Sequence, residues 1–205
     1  MKYFLVTLIF ISIINSALVV GQEQMSISES RKKNLRKVLD YRFKGGFYSF
    51  EKLFNTTVEY PEIAAQNCVL GIVIASFTVN CDGKIEKVSL KNPLKYMTDE
   101  VISEFFSATE GHWNTCDDEK YTNIDVPIQF TLSGTNTNTT DGLLIVEGET
   151  LGFDCYDDEK YLERAKKFLK KGKGKKALES INVLIQRNPF NSEYTDMKTK
   201  ALSLL

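Results

Sequence analysis

The chain is poor in histidine, and its cysteines are not spaced to bind metal. It contains one histidine, His112, and four cysteines, none of which forms a C-x-x-C pair. A zinc site needs several soft ligands close together, and a nucleophilic triad needs a histidine beside an activated serine or cysteine. Glycine motifs that cradle phosphate are also missing. We therefore expect no metal, no cofactor and no enzymatic activity.

An excess of charge of one sign is missing as well. The chain has 26 Lys and Arg residues against 27 Asp and Glu residues, which gives a formal net charge of −1. Proteins that bind nucleic acid, or that bind membranes through a polybasic surface, normally carry a clear basic excess. The balance argues against both classes, and we expect no nucleic-acid partner.

Two short acidic runs stand out within this balanced charge. They are Asp117-Asp118-Glu119 and Asp157-Asp158-Glu159. Neither has the spaced Asp and Gly residues of a calcium loop, so we interpret both as solvated loops.

The amino-terminal segment has the pattern of a secretory signal peptide. Lys2 is followed by an apolar run over residues 3–20 and then by Gly21. A positive start, a short apolar centre and a small-residue exit are typical of a cleaved signal, so we assign residues 1–21 to it. The alternative is a retained membrane anchor, because the run approaches the roughly 20 residues that span a bilayer. In an exported chain, the four cysteines predict disulfides.

Residues 22–46 form a separate segment before the main domain. Leu35, Val38 and Leu39 lie at helical spacing among many basic residues, and Gly45-Gly46 ends the pattern. This favours a short amphipathic helix with a solvated basic face. A flexible lead-in is the alternative.

Residues 47–155 have the pattern of a small domain with strands and a helix. The predicted elements are strands over 69–79 and 85–90, a helix over 97–113, a strand over 124–132 and one further short strand over 143–146. A tight turn at Asp82-Gly83 joins the first two strands. Because Pro127 cannot donate a ladder hydrogen bond, the strand over 124–132 is expected at an edge of the sheet.

Residues 156–205 change to a helical pattern. Their apolar spacing, the turn at Gly172 and the pair Asn188-Pro189 fall where a tetratricopeptide repeat places its packing residues, its turn and its closing proline. Such repeats need about three units to stand alone, and this tail is shorter. We therefore expect it to dock on the preceding domain, on a partner or on a second copy in a homo-oligomer.

Several spaced motifs lie in residues 47–134. They are Tyr60-Pro61, the strand from Gly71 to Val79, the turn Asp82-Gly83, the helix-ending Trp113 and the Val-Pro-Ile-x-Phe strand that starts at Val126. Together they resemble the carboxy-terminal domain of the TonB family. The resemblance implies an α+β domain with a small antiparallel sheet and helices on one face. It also implies a non-catalytic module that binds extended peptide segments in the bacterial envelope.

In that family, a partner's short peptide adds beside the last strand, near the Tyr-Pro segment, and completes its backbone ladder. The resemblance therefore implies a partner-binding surface on this strand. Its residues would be Tyr60, Pro61, Ile124, Asp125, Val126, Ile128, Gln129 and Thr131, with Asp125, Gln129 and Thr131 pointing outward. The expected partner is an envelope or outer-membrane protein, in keeping with that family's role in transport.

The topology of the family also implies how the cysteines pair. Its first and last strands run antiparallel, so Cys81 should lie near Cys116, and Cys68 should lie near Cys155. Four cysteines allow three pairings, and the implied bridges are Cys81–Cys116 and Cys68–Cys155.

The chain departs from the family's energy transducers in its linker. It has four prolines in all and no proline-rich spacer. The residues between Gly21 and Phe47 are too few to cross to the outer membrane, even at about 3.3 to 3.6 Å per residue. We therefore expect a stand-alone exported relative that is periplasmic or secreted, or anchored to the inner membrane if residues 1–21 are retained. The rival function is a structural or assembly adaptor that binds through its helical tail.

Overall fold

Seven helices and four strands make up the part of the chain that the structure describes. The computed structural model describes residues 26–96, 99–117, 123–137, 139–150, 152 and 154–205. Its elements are α1 (Ile27–Arg42), α2 (Gly46–Thr57), α3 (Glu62–Gln66), β1 (Gly71–Val79), β2 (Ile85–Lys91), α4 (Asp99–Ala108), β3 (Asn123–Leu132), β4 (Leu144–Gly148), α5 (Asp158–Lys170), α6 (Gly174–Arg187) and α7 (Ser192–Leu202). The predicted signal segment, residues 1–21, lies outside the described residues. Within them, no helix combines the length and the apolar character needed to cross a bilayer.

The four strands form one mixed sheet in the order β2-β1-β3-β4. β1 pairs antiparallel with both β2 and β3. β4 pairs parallel with β3, from Ile128 beside Leu144 to Leu132 beside Gly148. The α+β class is confirmed, whereas the expectation of an antiparallel sheet is wrong for the fourth strand. The loop between β3 and β4 carries the chain back along the sheet before β4 starts, so both strands run in the same direction.

One face of the sheet packs against α1, α2 and α4 and forms the main core. Aromatic rings meet edge to face at its centre. The centroid of Phe50 lies 5.2 Å from those of Phe43 and Phe105, and Phe43 lies 5.0 Å from Trp113. Each such contact stabilises the fold by about 0.5–1.5 kcal/mol beyond the contribution of the buried apolar surface. Of the two interpretations of residues 22–46, the structure shows the helix over Ile27–Arg42, and this helix shares the core of the sheet.

The last residue of α1 fixes the turn between β1 and β2. Arg42 is fully buried, and its Nη2 donates to the carbonyl of Asn80 at 2.8 Å. Its Nη1 donates to the sulfur of Cys116 at 3.2 Å. A buried guanidinium needs such partners, because its desolvation is otherwise unfavourable. The arginine thus holds the end of α1 against the β1–β2 turn.

Two disulfides join parts of the chain that are distant in sequence. Cys81 is bonded to Cys116 with 4.6 Å between the Cα atoms, and Cys68 is bonded to Cys155 with 5.6 Å. These are the two pairs that the family topology implies. Disulfides form and persist in oxidising compartments, so they suggest an exported chain.

The helical tail docks on the sheet domain, which is one of the three positions predicted for it. Asn92 Nδ2 donates to the carbonyl of Gln186 at 2.9 Å and to the carbonyl of Ile72 at 2.6 Å. The guanidinium of Arg31 lies 3.7 Å from the ring centroid of Phe190. Together with the Cys68–Cys155 bridge, these contacts tie the tail to α1 and to the sheet.

A buried ion pair closes the base of the tail. Asp158 Oδ1 accepts from Arg187 Nη1 at 2.8 Å, and both side chains are 1% exposed. The interpretation of residues 157–159 as a solvated loop is therefore wrong for Asp158. The local sequence pattern does not predict this pair, because Arg187 lies 29 residues after Asp158.

Gly71 should be required where the tail meets the sheet. Its φ of +150° disfavours other residues, and a Cβ there would lie 2.3 Å from the carbonyl oxygen of Gln186. Gly134 also has a positive φ, +76°, but no atom lies within 4 Å of its Cβ position. We expect Gly134→Ala to lower the free energy of unfolding by about 1 kcal/mol. Gly71→Ala should lower it by a further 1 to 3 kcal/mol, roughly, because α6 must move.

Urea unfolding of the two variants measures this difference, and amide hydrogen exchange in α6 locates it. If both variants lose the same free energy of unfolding and amide exchange in α6 is unchanged, the close approach of α6 to β1 is contradicted.

Candidate functional site at the outer edge of the sheet

The strand predicted to lie at the edge of the sheet is an interior strand. β3 pairs with β1 from Asn123 to Phe130 and with β4 from Ile128 to Leu132. The expectation of an unpaired last strand is therefore wrong over residues 128–132. Over the rest of β3, the carbonyl of Pro127 accepts from Leu143 N at 2.8 Å, and α1 contacts the strand.

Pro127 lies in an interior strand because its missing N–H faces the side on which β4 has not yet begun to pair. In a parallel ladder, alternate residues of a strand bond toward the same neighbour. Ser133 donates to Gly148, and the carbonyl of Pro127 accepts from Leu143, so the odd-numbered residues of β3 face β4. The missing N–H of Pro127 faces that side too, one residue before β4 begins to pair. The proline thus marks the start of the β3–β4 ladder and not the edge of the sheet.

The apolar residues predicted for binding lie in the core. Ile124, Val126 and Ile128 are at most 2% exposed and pack beneath the helices. Asp125 lies on the opposite, exposed face, where it accepts from Lys91 Nζ at 2.8 Å and from Ser76 Oγ at 2.6 Å. Partial burial by itself would raise the pKa of the Asp125 carboxyl, but these hydrogen bonds from Lys91 and Ser76 hold it below its usual value. Asp125 is thus engaged within the sheet.

The side chain of Gln129 is bonded to the loop that leads into β4. Its side chain is 4% exposed, and its Nε2 donates to the carbonyl of Thr139 at 3.1 Å. Its Oε1 accepts from Gly142 N at 3.1 Å. Thr131, the third residue expected to point outward, is half-buried and pairs with Glu147 of β4. The Gln129 side chain thus holds the loop that leads into β4 and does not face solvent.

The Tyr60-Pro61 pair lies under the other end of β4. The ring of Tyr60 packs so closely on Gly148 that a Cβ there would lie 2.6 Å from it. The same ring meets Phe130 edge to face at 5.9 Å, and its hydroxyl donates to the carbonyl of Val69. Burial raises the pKa of the Tyr60 phenol, an effect that the positive charge of Arg187 partly opposes. Pro61 stands at the N-cap position of α3.

Two described strands, β2 and β4, have an outer side without a strand partner. β2 is poorly suited to accept another strand. Its register shifts between Ser76 and Thr78, Lys87 has a φ of +52°, and charged side chains are exposed along it. Bulges and charges of this kind protect an edge from pairing. The outer edge of β4 is therefore the better candidate for strand addition.

The backbone of β4 offers bonding groups on this outer side. Gly148 accepts from Ser133 N, so its backbone groups point toward β3. Alternate residues of a strand bond to the same side, so the backbone N–H and C=O groups of Ile145 and Glu147 point away from β3. Among the described residues, no hydrogen bond reaches the outward N–H and C=O groups of these two residues. The side chain of Ile145 is 58% exposed. An incoming extended segment would find both donors and acceptors here.

A groove of about 430 Å³ runs beside this edge, between β4 and the end of α2. Its lining residues are Phe54, Asn55, Val58, Glu59, Tyr60, Ile145, Val146, Glu147, Gly148 and Glu149. Glu59, Glu147 and Glu149 are exposed, and the lining contains no lysine or arginine. The groove thus combines the exposed apolar side chain of Ile145, free backbone groups and negative charge.

The sequence offered a weak signal for this site. In the structure, Leu144 and Val146 are buried while Ile145 and Glu147 are exposed, an alternation that the apolar run from Leu143 to Val146 does not itself show. A short strand over 143–146 was expected. Its position at the edge was not, because the pattern does not tell which strand β4 pairs with.

Comparisons of the chain with family models, with curated proteins and with solved structures find no match. The resemblance to the TonB family therefore remains a prediction from the residues. Within the described residues, no group of three or more His, Cys, Asp or Glu side chains could hold a metal ion.

Tyr60→Phe tests the support beneath β4. The variant keeps the ring on Gly148 and removes the donor to Val69, so the free energy of unfolding should fall by about 1 kcal/mol at neutral pH. The raised pKa keeps the folded phenol neutral while the unfolded chain ionises from about pH 10 upward. The contribution of the Tyr60 hydroxyl to the free energy of unfolding is therefore complete below about pH 10 and is lost as the pH rises above it.

Urea unfolding across alkaline pH measures both effects. Wild-type stability should fall more steeply than that of Tyr60→Phe, and Tyr48→Phe, at a ring that is 73% exposed, should follow the wild type. Parallel curves for the wild type and Tyr60→Phe would show that the hydroxyl is not buried against Val69.

Proposed function

We propose that this protein is a non-catalytic, exported binding module, and that it captures an extended segment of another envelope protein by strand addition at the outer edge of β4. The proposal rests on one observation: the outward backbone groups of Ile145 and Glu147 lie beside an open groove. The predicted signal segment and the two disulfides support an exported location, with the periplasm as the compartment. The resemblance to the TonB family supports the mode of binding, transferred here from β3 to β4.

Strand addition at this edge fits a transient partner. The two outward residues offer about four hydrogen bonds, each with a net value of about 0.5–1.5 kcal/mol. Association and ordering of the peptide oppose most of that gain. Contacts of the peptide with the exposed side chain of Ile145 and with the carboxylates around the groove are needed to stabilise the complex. We expect an affinity of about micromolar or weaker.

The charge of the groove favours a basic segment. Glu59, Glu147 and Glu149 surround the edge, so lysine or arginine side chains on an added strand would meet carboxylates. Opposite charges on neighbouring strands stabilise pairing, and like charges destabilise it. Two copies of this protein would bring the same carboxylates together if they paired through β4. The edge therefore disfavours self-association and leaves room for a different chain.

A second candidate function, the adaptor that binds through its tail, has one observation in its favour. A cavity of about 340 Å³ on α5 is lined by Tyr156, Lys160, Tyr161, Glu163, Arg164, Lys167 and Phe168. The side chain of Tyr156 is 59% exposed there. If Tyr156→Ala abolishes capture of a natural partner and the β4 variants do not, the tail is the binding element.

Glu147→Pro tests the β4 proposal directly. Proline removes the outward N–H, and the inward ladder to β3 stays intact. Glu147→Ala is the matched control, since it removes the same carboxylate and keeps the N–H. The probe is a peptide in which valine and lysine alternate, and a valine–glutamate peptide is the charge control. We expect wild type to bind only the lysine peptide, and we expect Glu147→Pro to bind it about tenfold more weakly than Glu147→Ala.

Fluorescence anisotropy measures the affinities, and circular dichroism checks that both variants fold. If Glu147→Pro and Glu147→Ala bind equally well, the backbone of β4 is not the contact. If neither peptide binds wild type, strand addition at this edge is wrong.

A further inference from the structure

The turn between α5 and α6 carries a dense group of lysines, which we call the lysine tip. Its members are Lys166, Lys167, Lys170, Lys171, Lys173, Lys175 and Lys176, and all seven are exposed. No acidic residue occurs from residue 164 to residue 178. The near-neutral charge of the whole chain conceals this local excess. The lysine tip therefore has a strong positive field of its own.

The fold brings these lysines to one end of the tail. α5 ends at Lys170 and α6 begins at Gly174, and Ala165, Ala177 and Ile181 pack the two helices together. The end of α7 lies beside them, because a Cβ on Gly174 would lie 2.4 Å from the carbonyl oxygen of Ala201. The other end of α6 docks at Gly71, about 20 Å away at 1.5 Å per residue. The lysine tip thus projects away from the sheet domain.

The charge of the lysine tip is almost uncompensated within the described part of the chain. Lys166 pairs with Glu193 at 3.2 Å, and no described ion pair involves the other six lysines. The next acidic residue along α6, Glu179, pairs with Arg164 at 3.7 Å. The field of the tip therefore reaches solvent.

Part of the lysine tip works against the stability of its own helix. Lys173, Lys175 and Lys176 stand at the start of α6, where the first turn has no acidic residue and no side-chain cap. The positive end of the helix dipole repels cations there. Lys167 and Lys170, at the end of α5, lie where the dipole favours them and need no further explanation. A residue choice that opposes local stability is typical of a functional surface.

We propose that the lysine tip docks the protein on an anionic phospholipid bilayer. Lysine is a compact point charge that lacks the planar fork with which arginine recognises one carboxylate or phosphate. Seven lysines without an arginine among them suit a fluid layer of phosphate headgroups better than a single defined ligand. Each lysine near an anionic membrane surface contributes attraction that adds with its neighbours. An exported protein also meets membrane surfaces in its compartment.

Vesicle sedimentation of the chain from residue 22 onward tests this proposal. The probes are vesicles of phosphatidylcholine alone and vesicles in which about a third is phosphatidylglycerol. Wild type should bind only the anionic vesicles, and added salt should weaken binding because it screens charge. Lys173→Glu, Lys175→Glu and Lys176→Glu together should weaken binding at least tenfold, on the order of the loss of three attractive charges.

The matched control is the triple variant Lys33→Glu, Lys52→Glu and Lys84→Glu, which makes the same change in net charge at exposed lysines elsewhere. It should keep its binding within about threefold. The tip variant should also unfold at a higher urea concentration than wild type, because glutamates at a helix start are stabilising. This rise excludes misfolding as the cause of lost binding.

Three outcomes would overturn the proposal. They are the absence of wild-type binding to anionic vesicles, equal binding to neutral vesicles, and equal loss of binding in both triple variants. Self-association without lipid that is abolished by the tip variant and by Glu147→Lys would assign the lysine tip to the acidic groove of a second copy instead. The lipid readout is independent of peptide binding at β4, so either proposal can fail alone.

Discussion

The parallel pairing of β4 with β3 decides which part of the sheet a partner can reach. Without β4, the residues of β3 from Ile128 to Leu132 would present the open ladder that the sequence predicted. With β4 in place, the accessible ladder moves outward by one strand. Gln129 holds the entry to β4 by two hydrogen bonds, and Tyr60 supports its end by packing on Gly148. Two of the residues first assigned to binding, Gln129 and Tyr60, thus support the strand that forms the edge in place of β3.

Much of the fold follows from local patterns in the sequence. The Asp82-Gly83 turn, the alternation in β1 and β3 and the helical spacing of the tail are short-range signals, and each lies in the element predicted for it. The position of β4 depends on contacts between distant residues, such as the amide of Gln129 with Gly142, which no periodicity records. Asp158 shows the same limit. Its acidic neighbours predict a solvated loop, and only the distant Arg187 explains its burial.

The sequence predicted a site at an edge strand, but it did not predict which strand forms that edge. Edge-strand geometry and the nearby Tyr60 were expected, whereas Ile145, Glu147 and Glu149 were not. A proline in a strand was the misleading signal, because Pro127 lies one residue before the β3–β4 ladder and removes no hydrogen bond from it. An edge strand can therefore be located only when the strand that bonds to each of its two sides is known, and the propensity of its residues is not enough.

Two surfaces of opposite charge emerge from a chain whose net charge is −1. Acidic side chains surround the groove at β4, and the lysine tip lies at the far end of α6. The Cys68–Cys155 bridge and the hydrogen bond from Asn92 to the carbonyl of Gln186 fix the tail to the sheet domain. They therefore also hold the two surfaces at a fixed separation. In our account, one surface binds an extended basic segment and the other orients the molecule on a membrane.

Residue-resolved amide hydrogen exchange of the free protein tests the central claim most directly. If β4 is an edge strand with an open outer side, the amides of Val146 and Gly148 are protected by β3, and those of Ile145 and Glu147 exchange rapidly. Slow exchange at all four amides would contradict the account, because the outer ladder of β4 would then already be occupied.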